Sequence, residues 1–243
     1  MNLLHEELEF GPMYRERLSE SLPRVRDRIR DAAMAAGRDP SQVRLVAVTK
    51  GHPVDAAGAA LEAGLRDLGE NRVEELDEKV TVLGRDVAVW HMIGHVQRRK
   101  AGRAVALAHM IHSVDTLRLG QRISRVAAEE GRRVRVLAQV NSSGETTKSG
   151  FAGPSAVEDI HQLAEMPWIE VEGLMTMAPF VDDQKVLTLT FRRLRETLEA
   201  VRRVAPRVGR ELSMGMTNDL EIAIREGSTM VRIGTALFGE RIR

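Results

Sequence analysis

The chain has 243 residues, with 36 basic and 35 acidic side chains and a formal net charge of +1. This length is near the roughly 250 residues typical of one (β/α)8 barrel, which favours a single domain spanning 1–243. The balanced charge offers no general attraction to nucleic acid or to an anionic membrane, and an aromatic content of 3% leaves few platforms for stacking bases. The absence of cysteine excludes disulfide scaffolds, thiolate metal sites and cysteine nucleophiles.

The sequence shows no targeting or membrane segment. The longest apolar stretches end well before the roughly 20 residues that a membrane span requires. The segment 1–18 carries acidic side chains where a signal peptide would be basic, and it has no long apolar core. We therefore expect a cytoplasmic protein with no membrane partner.

Short apolar or β-branched runs recur along the chain, and a helix-like segment follows each of them. This alternation is typical of parallel βαβ units. Several runs are apolar almost throughout, as expected of strands that are buried on both faces. The pattern predicts an α/β fold in which eight strands close into a single (β/α)8 TIM barrel. The runs are 43–48, 65–68, 88–93, 110–114, 134–140, 171–175, 212–216 and 230–233.

The segment 17–36, before the first strand, is predicted to form an extra helix. Its apolar residues recur at helical spacing, and it precedes Gly37, a frequent helix stop. We expect this N-terminal helix to cover the flank or the bottom of the barrel.

The active site of a (β/α)8 barrel lies at the carboxyl ends of the strands, so the residues that close each run are the candidates. Lys50 ends the apolar run LVAVTK. Partial desolvation there would lower the pKa of its amine and favour a neutral nucleophile that can form a Schiff base. The alternative is a lysine that buries its stem and solvates its charged tip.

The segment VRIGTALFGE, 231–240, is a candidate phosphate site. Gly234 permits close approach of the backbone, and the N–H groups of Gly234 and Thr235 could face an anion, as after the late strands of many barrels. Thr217 could add a hydroxyl. Alternatively, Gly234 only turns the chain and Thr235 caps a terminal helix. Arg232 should also point inward, either toward the site or into a buried salt bridge.

The motif HMIGH contains two histidines, His91 and His95. It lacks the glutamate of a zincin helix, and Gly94 after a strand disfavours a shared helical face, so we expect no metal. His91 should line the mouth of the barrel and His95 should begin a helix. The polar loop 141–151 is either a solvated surface or a lid or partner surface.

Seven motifs in this order carry a family resemblance: LVAVTK (45–50), DLGEN (67–71), WHMIGHVQRRK (90–100), VLAQVNSSGETTKSGF (136–151), GLMTM (173–177), LSMGMTND (212–219) and REGSTMVRIGTALFGER (225–241). With these motifs the chain resembles the pyridoxal 5′-phosphate (PLP) homeostasis proteins over nearly all of its length. That family is related to the N-terminal barrel domain of alanine racemase, a PLP protein of fold type III. The resemblance implies the same barrel, with PLP as cofactor.

The resemblance also implies roles for individual residues. Lys50 matches the lysine that forms the internal aldimine with PLP, and Arg232 matches the arginine that faces the pyridine nitrogen. An arginine there keeps the nitrogen unprotonated and weakens the cofactor as an electron sink. The other residues expected at the PLP site are Asn71, His91, Ser213, Thr217, Gly234 and Thr235.

Some positions depart from the family pattern. Thr217 stands where serine is common, which keeps the hydroxyl. Arg72 stands where an aromatic residue is common, and Gly51 and His52 alter the turn after Lys50. These changes affect the solvent-facing side of the ring more than the anchor or the phosphate contacts.

The resemblance implies a carrier and not a racemase. A racemase of the alanine type needs a tyrosine and a further C-terminal β domain, whereas the one tyrosine here, Tyr14, precedes the barrel, and the chain ends soon after the last strand. We therefore expect a monomer without substantial catalysis that binds PLP, limits its free aldehyde and supplies it to PLP-dependent apo-enzymes.

Two alternatives stay open from the sequence. One is a PLP-dependent racemase or lyase acting on a small amino acid, and the other is a barrel enzyme that uses a metal or a phosphosugar. A second lysine that holds PLP is also conceivable, and the candidates, which we expect to be exposed, are Lys79, Lys100, Lys148 and Lys185.

Overall fold

The computed structural model describes residues 11–145 and 148–240. Within these ranges eight parallel strands pair in chain order, and the eighth also pairs with the first, so that the sheet closes. The predicted TIM barrel is confirmed. The strands are β1 (Arg44–Val48), β2 (Asp67–Glu70), β3 (Val89–Met92), β4 (Met110–Val114), β5 (Val134–Gln139), β6 (Ile169–Met175), β7 (Glu211–Ser213) and β8 (Met230–Ile233).

Helices follow the strands and form the outer layer of the barrel. Among the described residues, none of them is long and apolar enough to cross a membrane. The helices are α1 (Pro12–Ala35), α2 (Val54–Glu62), α3 (Val73–Leu83), α4 (Ala101–Leu107), α5 (Leu117–Glu129), α6 (Ala156–Glu165), α7 (Gln184–Val204), α8 (Leu220–Arg225) and α9 (Thr235–Phe238).

The extra N-terminal helix is confirmed, and it begins earlier than predicted. It starts at Pro12 because proline is tolerated in the first helical turn, where its missing N–H costs no hydrogen bond. Its buried stripe, which includes Leu18, Leu22 and Ile29, packs on α2, α8 and α9. The helix therefore covers the flank of the barrel next to β1 and β8.

The seventh strand is shorter than the predicted run 212–216. It ends at Ser213 because Gly215 has a φ of +96°, which extended strands do not use. A Cβ atom on Gly215 would lie 2.6 Å from the Cβ of Ala223, so glycine lets the chain pass close to α8. The loop after β7 thus begins deeper in the barrel than the apolar run suggested.

Successive side chains of a strand alternate between two cores, one inside the barrel and one between the strands and the helices. Inside the barrel, Met110, Met175 and Met230 belong to one small buried cluster. Their neighbours such as Val231 belong to the larger core between the strands and the helices. Because Arg232 shares its face with Met230, its side chain points into the barrel.

Candidate functional site

A cavity of about 610 Å³ opens at the carboxyl ends of the strands. This volume lies in the range of pockets that bind small molecules. Most of the residues predicted at the PLP site border it, although they come from four different strand ends. They are Lys50, Asn71, Thr217, Arg232, Gly234 and Thr235.

Lys50 is half-buried at the cavity and follows a tightly held residue, Thr49. The carbonyl of Thr49 accepts a hydrogen bond from Lys79 Nζ at 2.8 Å. The hydroxyl of Thr49 and the amine of Lys79 both donate to Oε1 of Glu70. Burial raises the pKa of Glu70 to about 7, although the charge of Lys79 acts in the opposite direction. The backbone that carries Lys50 is therefore fixed by buried polar contacts.

The turn after Lys50 is anchored by two helices. Gly51, with a φ of +71°, donates its backbone N–H to Glu75 on α3 at 3.0 Å. Nδ1 of the buried His52 lies 3.1 Å from the hydroxyl of Tyr14 on α1. Gly51 and His52, two of the positions that depart from the family pattern, thus form an ordered turn, and Tyr14 supports that turn from outside the cavity.

Arg232 is 5% exposed and presents a fixed guanidinium to the cavity. Its Nη1 donates to Ser213 Oγ at 2.7 Å, and its Nη2 donates to the carbonyl of Thr176 at 2.9 Å. Burial lowers the pKa of Arg232 to about 10, while the charge of Asp219 opposes this shift. The group is therefore still a cation at neutral pH, and it can only donate hydrogen bonds.

The loops after β7 and β8 together form another side of the cavity. Thr217 Oγ1 accepts a hydrogen bond from the backbone N–H of Ala236 at 3.4 Å, and the carbonyl of Thr217 accepts one from Arg28 Nη2 at 2.8 Å. A Cβ on Gly234 would lie 3.2 Å from the carbonyl oxygen of Val48, which is tighter than ordinary contact. This side therefore gathers hydroxyl and backbone groups within a small volume.

Asn71 is brought to the cavity by a close approach of two loops. A Cβ on Gly94 would lie 2.1 Å from the carbonyl oxygen of Asn71, so only glycine fits there. His95, next in the chain, lies in a loop that borders the cavity, with its Nδ1 3.2 Å from Asp115. The prediction that His95 begins a helix is wrong, because the next helical turn starts at Arg98.

His91 does not line the mouth of the barrel as predicted. Its ring is fully buried, with Nε2 2.9 Å from Asp67 and Nδ1 2.8 Å from His112. His91 pairs in register with Met110, which belongs to the buried cluster inside the barrel, so this inward-facing side chain lies below the cavity. Ser213 also lies below it, and it reaches the site only through its hydrogen bond with Arg232. Within 11–145 and 148–240, no group of three His, Cys, Asp or Glu could hold a metal ion.

Some residues that border the cavity are not among those predicted from the sequence. Gln139 closes β5 and could have been found by the strand-end rule. Lys148, expected to be exposed, borders the cavity and pairs with Glu145, while residues 146–147 of this loop lie outside the described residues. The loop after β6 also borders the cavity, and its Phe180 is 94% exposed. Lys79, also expected to be exposed, is 1% exposed.

Comparison with known proteins places the chain in a family. A family model described as the N-terminal domain of alanine racemase matches residues 21–242. A protein of Pseudomonas aeruginosa named pyridoxal phosphate homeostasis protein is 42% identical over 229 residues, which are 92% of this chain and 96% of that protein. The chain belongs to this family.

Solved structures agree with this assignment. PipY of Synechococcus elongatus, solved with PLP bound, has a TM-score of 0.79 and 34% identity, and the match covers 93% of this chain and all of that chain. Alanine racemase of Clostridium difficile has a TM-score of 0.77 at 16% identity, which covers 93% of this chain and 57% of that chain and shows the shared fold alone. The resemblance drawn from the motifs is confirmed.

Proposed function

We propose that this chain binds PLP in the cavity at the carboxyl ends of the strands and serves PLP homeostasis. The observation that carries the proposal is that Lys50 and Arg232 border one cavity together with Thr217, Gly234 and Thr235. A primary amine, a buried cation and a compact set of hydroxyl and backbone groups match the aldehyde, the ring nitrogen and the phosphate of PLP. Relatives of this chain are named PLP homeostasis proteins, and PipY has been solved with PLP bound.

The predicted residues that border the cavity divide three tasks in this proposal. Bound PLP supplies an aldehyde, which reacts reversibly with a primary amine. Lys50 provides that amine and is the covalent anchor. Thr217, Gly234 and Thr235 bind the phosphate, and Asn71 borders the ring. His91 is left out because it lies below the cavity.

Arg232 favours holding the cofactor over catalysis. Its guanidinium only donates hydrogen bonds, so a ring nitrogen that accepts from it stays unprotonated. An unprotonated pyridine withdraws electrons weakly and therefore stabilises a carbanion poorly. The site is thus better suited to storing PLP than to breaking bonds of an amino acid.

We further propose that the chain has no substantial catalytic activity. Tyr14 is buried, its hydroxyl contacts His52, and it does not border the cavity. This arrangement gives no support to a second base of the racemase type. The alternative, a PLP-dependent racemase or lyase acting on a small amino acid, requires turnover that depends on Lys50.

The supply of PLP to apo-enzymes is the last part of the proposal. The exposed Phe180 beside the cavity offers an apolar contact at the point where PLP would leave. We propose that residues 1–243 act as one PLP-binding domain and as a monomer. The cytoplasmic location stays a prediction.

Borohydride reduction followed by peptide mass spectrometry tests the anchor. Protein incubated with PLP should carry one phosphopyridoxyl group on Lys50. The Lys50→Ala variant should lose this group, and the control Lys185→Ala, at an exposed position of α7, should keep it. Absence of any adduct in wild type at excess PLP would refute the proposal.

Two further assays separate a carrier from an enzyme. Loaded protein should show negligible racemisation or cleavage of small amino acids, whereas turnover that disappears in Lys50→Ala would establish the alternative function. Loaded protein mixed with the apo-form of a PLP-dependent enzyme should restore that enzyme's activity. No restoration of that enzyme's activity would contradict the supply of PLP.

A further inference from the structure

A chain of hydrogen bonds crosses the interior of the barrel and ends on Arg232. Asp67 Oδ1 lies 2.9 Å from His91 Nε2, and His91 Nδ1 lies 2.8 Å from His112 Nε2. His112 Nδ1 lies 2.9 Å from Ser213 Oγ, which accepts a hydrogen bond from Arg232 Nη1 at 2.7 Å. The three central side chains are fully buried, whereas the Asp67 side chain is 22% exposed. The chain therefore joins a solvent-accessible carboxylate to the cation at the cavity.

We propose that this hydrogen-bond chain runs in one direction, in which each group donates its hydrogen to the neighbour that lies farther from the cavity. In this proposal Ser213 and His112 are positioning residues that fix Arg232 for its ligand. The positioning of Arg232 for PLP rests on the proposed function. The direction of the chain does not depend on it.

The direction follows from the chemistry of the two ends. Arginine only donates, so Ser213 Oγ is the acceptor of the bond from Arg232. The Asp67 carboxylate accepts, so the hydrogen of His91 lies on Nε2. A neutral His91 then has a bare Nδ1, to which His112 donates from Nε2. The bare Nδ1 of His112 accepts the hydroxyl hydrogen of Ser213, and every group has its partner.

The surroundings keep both imidazoles neutral. Burial lowers the pKa of His91, with Arg44 and Arg135 acting in the same direction and Asp67 acting against it. Burial also lowers the pKa of His112 well below its usual value, and its cationic neighbours add to this shift. A charged His91 would donate from Nδ1 to His112 Nε2, so that the hydrogen of His112 would lie on Nδ1 and point to Ser213. The hydroxyl of Ser213 would then have no acceptor among these hydrogen-bonded groups.

The common direction of these hydrogen bonds affects the guanidinium of Arg232 at the cavity. Aligned hydrogen bonds polarise one another, so the distant carboxylate strengthens the bond that Ser213 accepts. Together with the bond from Nη2 to the Thr176 carbonyl, this contact holds the planar guanidinium at two points. Arg232 then keeps its remaining N–H groups for a ligand. Ser213, which the sequence suggested as a direct contact of the cofactor, acts through Arg232.

NMR of the imidazole nitrogens tests the direction without any ligand. Long-range ¹H–¹⁵N spectra of the wild-type protein at pH 7 should show the Nε2–H tautomer for His91 and for His112. A charged ring, or an Nδ1–H tautomer at either histidine, would overturn the proposed direction. This measurement needs no variant, so a folding failure cannot obscure it.

Titration with PLP tests the positioning role. Ser213→Ala should raise the Kd about tenfold, as expected for the loss of one hydrogen bond to a charged group, and Ser213→Thr should restore most of the affinity. Asp67→Ala should weaken binding less and should disturb the His91 tautomer. The control Glu62→Ala removes a carboxylate that pairs with Arg15 at 2.7 Å on the outer helices, away from the hydrogen-bond chain, and should leave the Kd unchanged.

The outcomes are distinguishable. An unchanged Kd in Ser213→Ala would overturn the positioning role, and so would an equal loss in Glu62→Ala. If wild-type protein does not bind PLP, the proposed function fails and the positioning role fails with it. The tautomers observed by NMR decide the direction of the chain in either case.

Discussion

Lys79 Nζ lies 2.6 Å from Glu70 Oε1, and both side chains are buried beneath the residue that precedes Lys50. The amine also donates to the carbonyl of Thr49. Glu70 Oε2 is buried and has no hydrogen-bond partner among the described residues. The ion pair thus holds the end of β1 in place. Glu70 Oε2 loses its hydrogen bonds to water on burial and gains none from the described residues in return.

At pH 8, above the pKa of about 7 of Glu70, Lys79→Met should lower the free energy of unfolding by about 3 kcal/mol, because it leaves the Glu70 carboxylate buried without its partner. The double variant Lys79→Met/Glu70→Leu should recover much of this loss. Urea denaturation measures both effects. The matched control is Arg103→Met, which breaks an exposed pair with Asp77 and should cost less than about 1 kcal/mol. Equal losses in the two single variants would contradict the role of burial.

The stability of the protein should depend on pH through Glu70. Its pKa is about 7 in the folded protein against a usual value of 4.5, so the folded state binds more protons between these values. The contribution of Glu70 is therefore fully present below pH 4.5 and is lost as the pH rises through 7, with a size on the order of 3 kcal/mol.

Glu70→Gln removes this titration and isolates it from that of the histidines. As the pH rises from 5 to 8, the unfolding free energy of wild type should fall relative to that of Glu70→Gln. Urea denaturation at several pH values gives this difference. A constant difference would show that Glu70 keeps the same charge over this range.

Gly94→Ala should destabilise the protein and weaken binding at the cavity. The new Cβ would lie 2.1 Å from the carbonyl oxygen of Asn71, so one of the two loops must move. We expect a loss of about 1–3 kcal/mol, as for other overpacked sites. Gly102→Ala, inside α4 with no atom within 4 Å of the new Cβ, should be neutral or stabilising. Thermal denaturation of both variants checks the contrast.

Tyr14→Phe should cost about 0.5–1.5 kcal/mol, because it removes the hydroxyl that bonds to Nδ1 of the buried His52. Since His52 lies two residues after Lys50, the backbone amide signals of this turn should also shift. Met13→Ala, at an exposed position of the same helix, is the control. Unchanged signals around Lys50 would contradict the link between α1 and this turn.

Much of the fold could be predicted from the sequence, because it depends on local patterns. Apolar runs separated by helical segments specify parallel βαβ units, and eight of them in this length close a barrel. The same patterns indicated the extra N-terminal helix. The motifs also identified the family and placed Lys50 and Arg232 at strand ends, where a barrel gathers its functional groups.

The depth of a residue along the barrel axis was decided by the tertiary structure. Alternation tells which face a side chain occupies, but it does not tell whether that side chain reaches the cavity or stays below it. His91 and Ser213 face inward and remain beneath the mouth, because their height depends on the stagger of neighbouring strands. Lys79 looks like a surface lysine of α3 in the sequence, and only the approach of Glu70 from β2 gives its charge a partner in the interior.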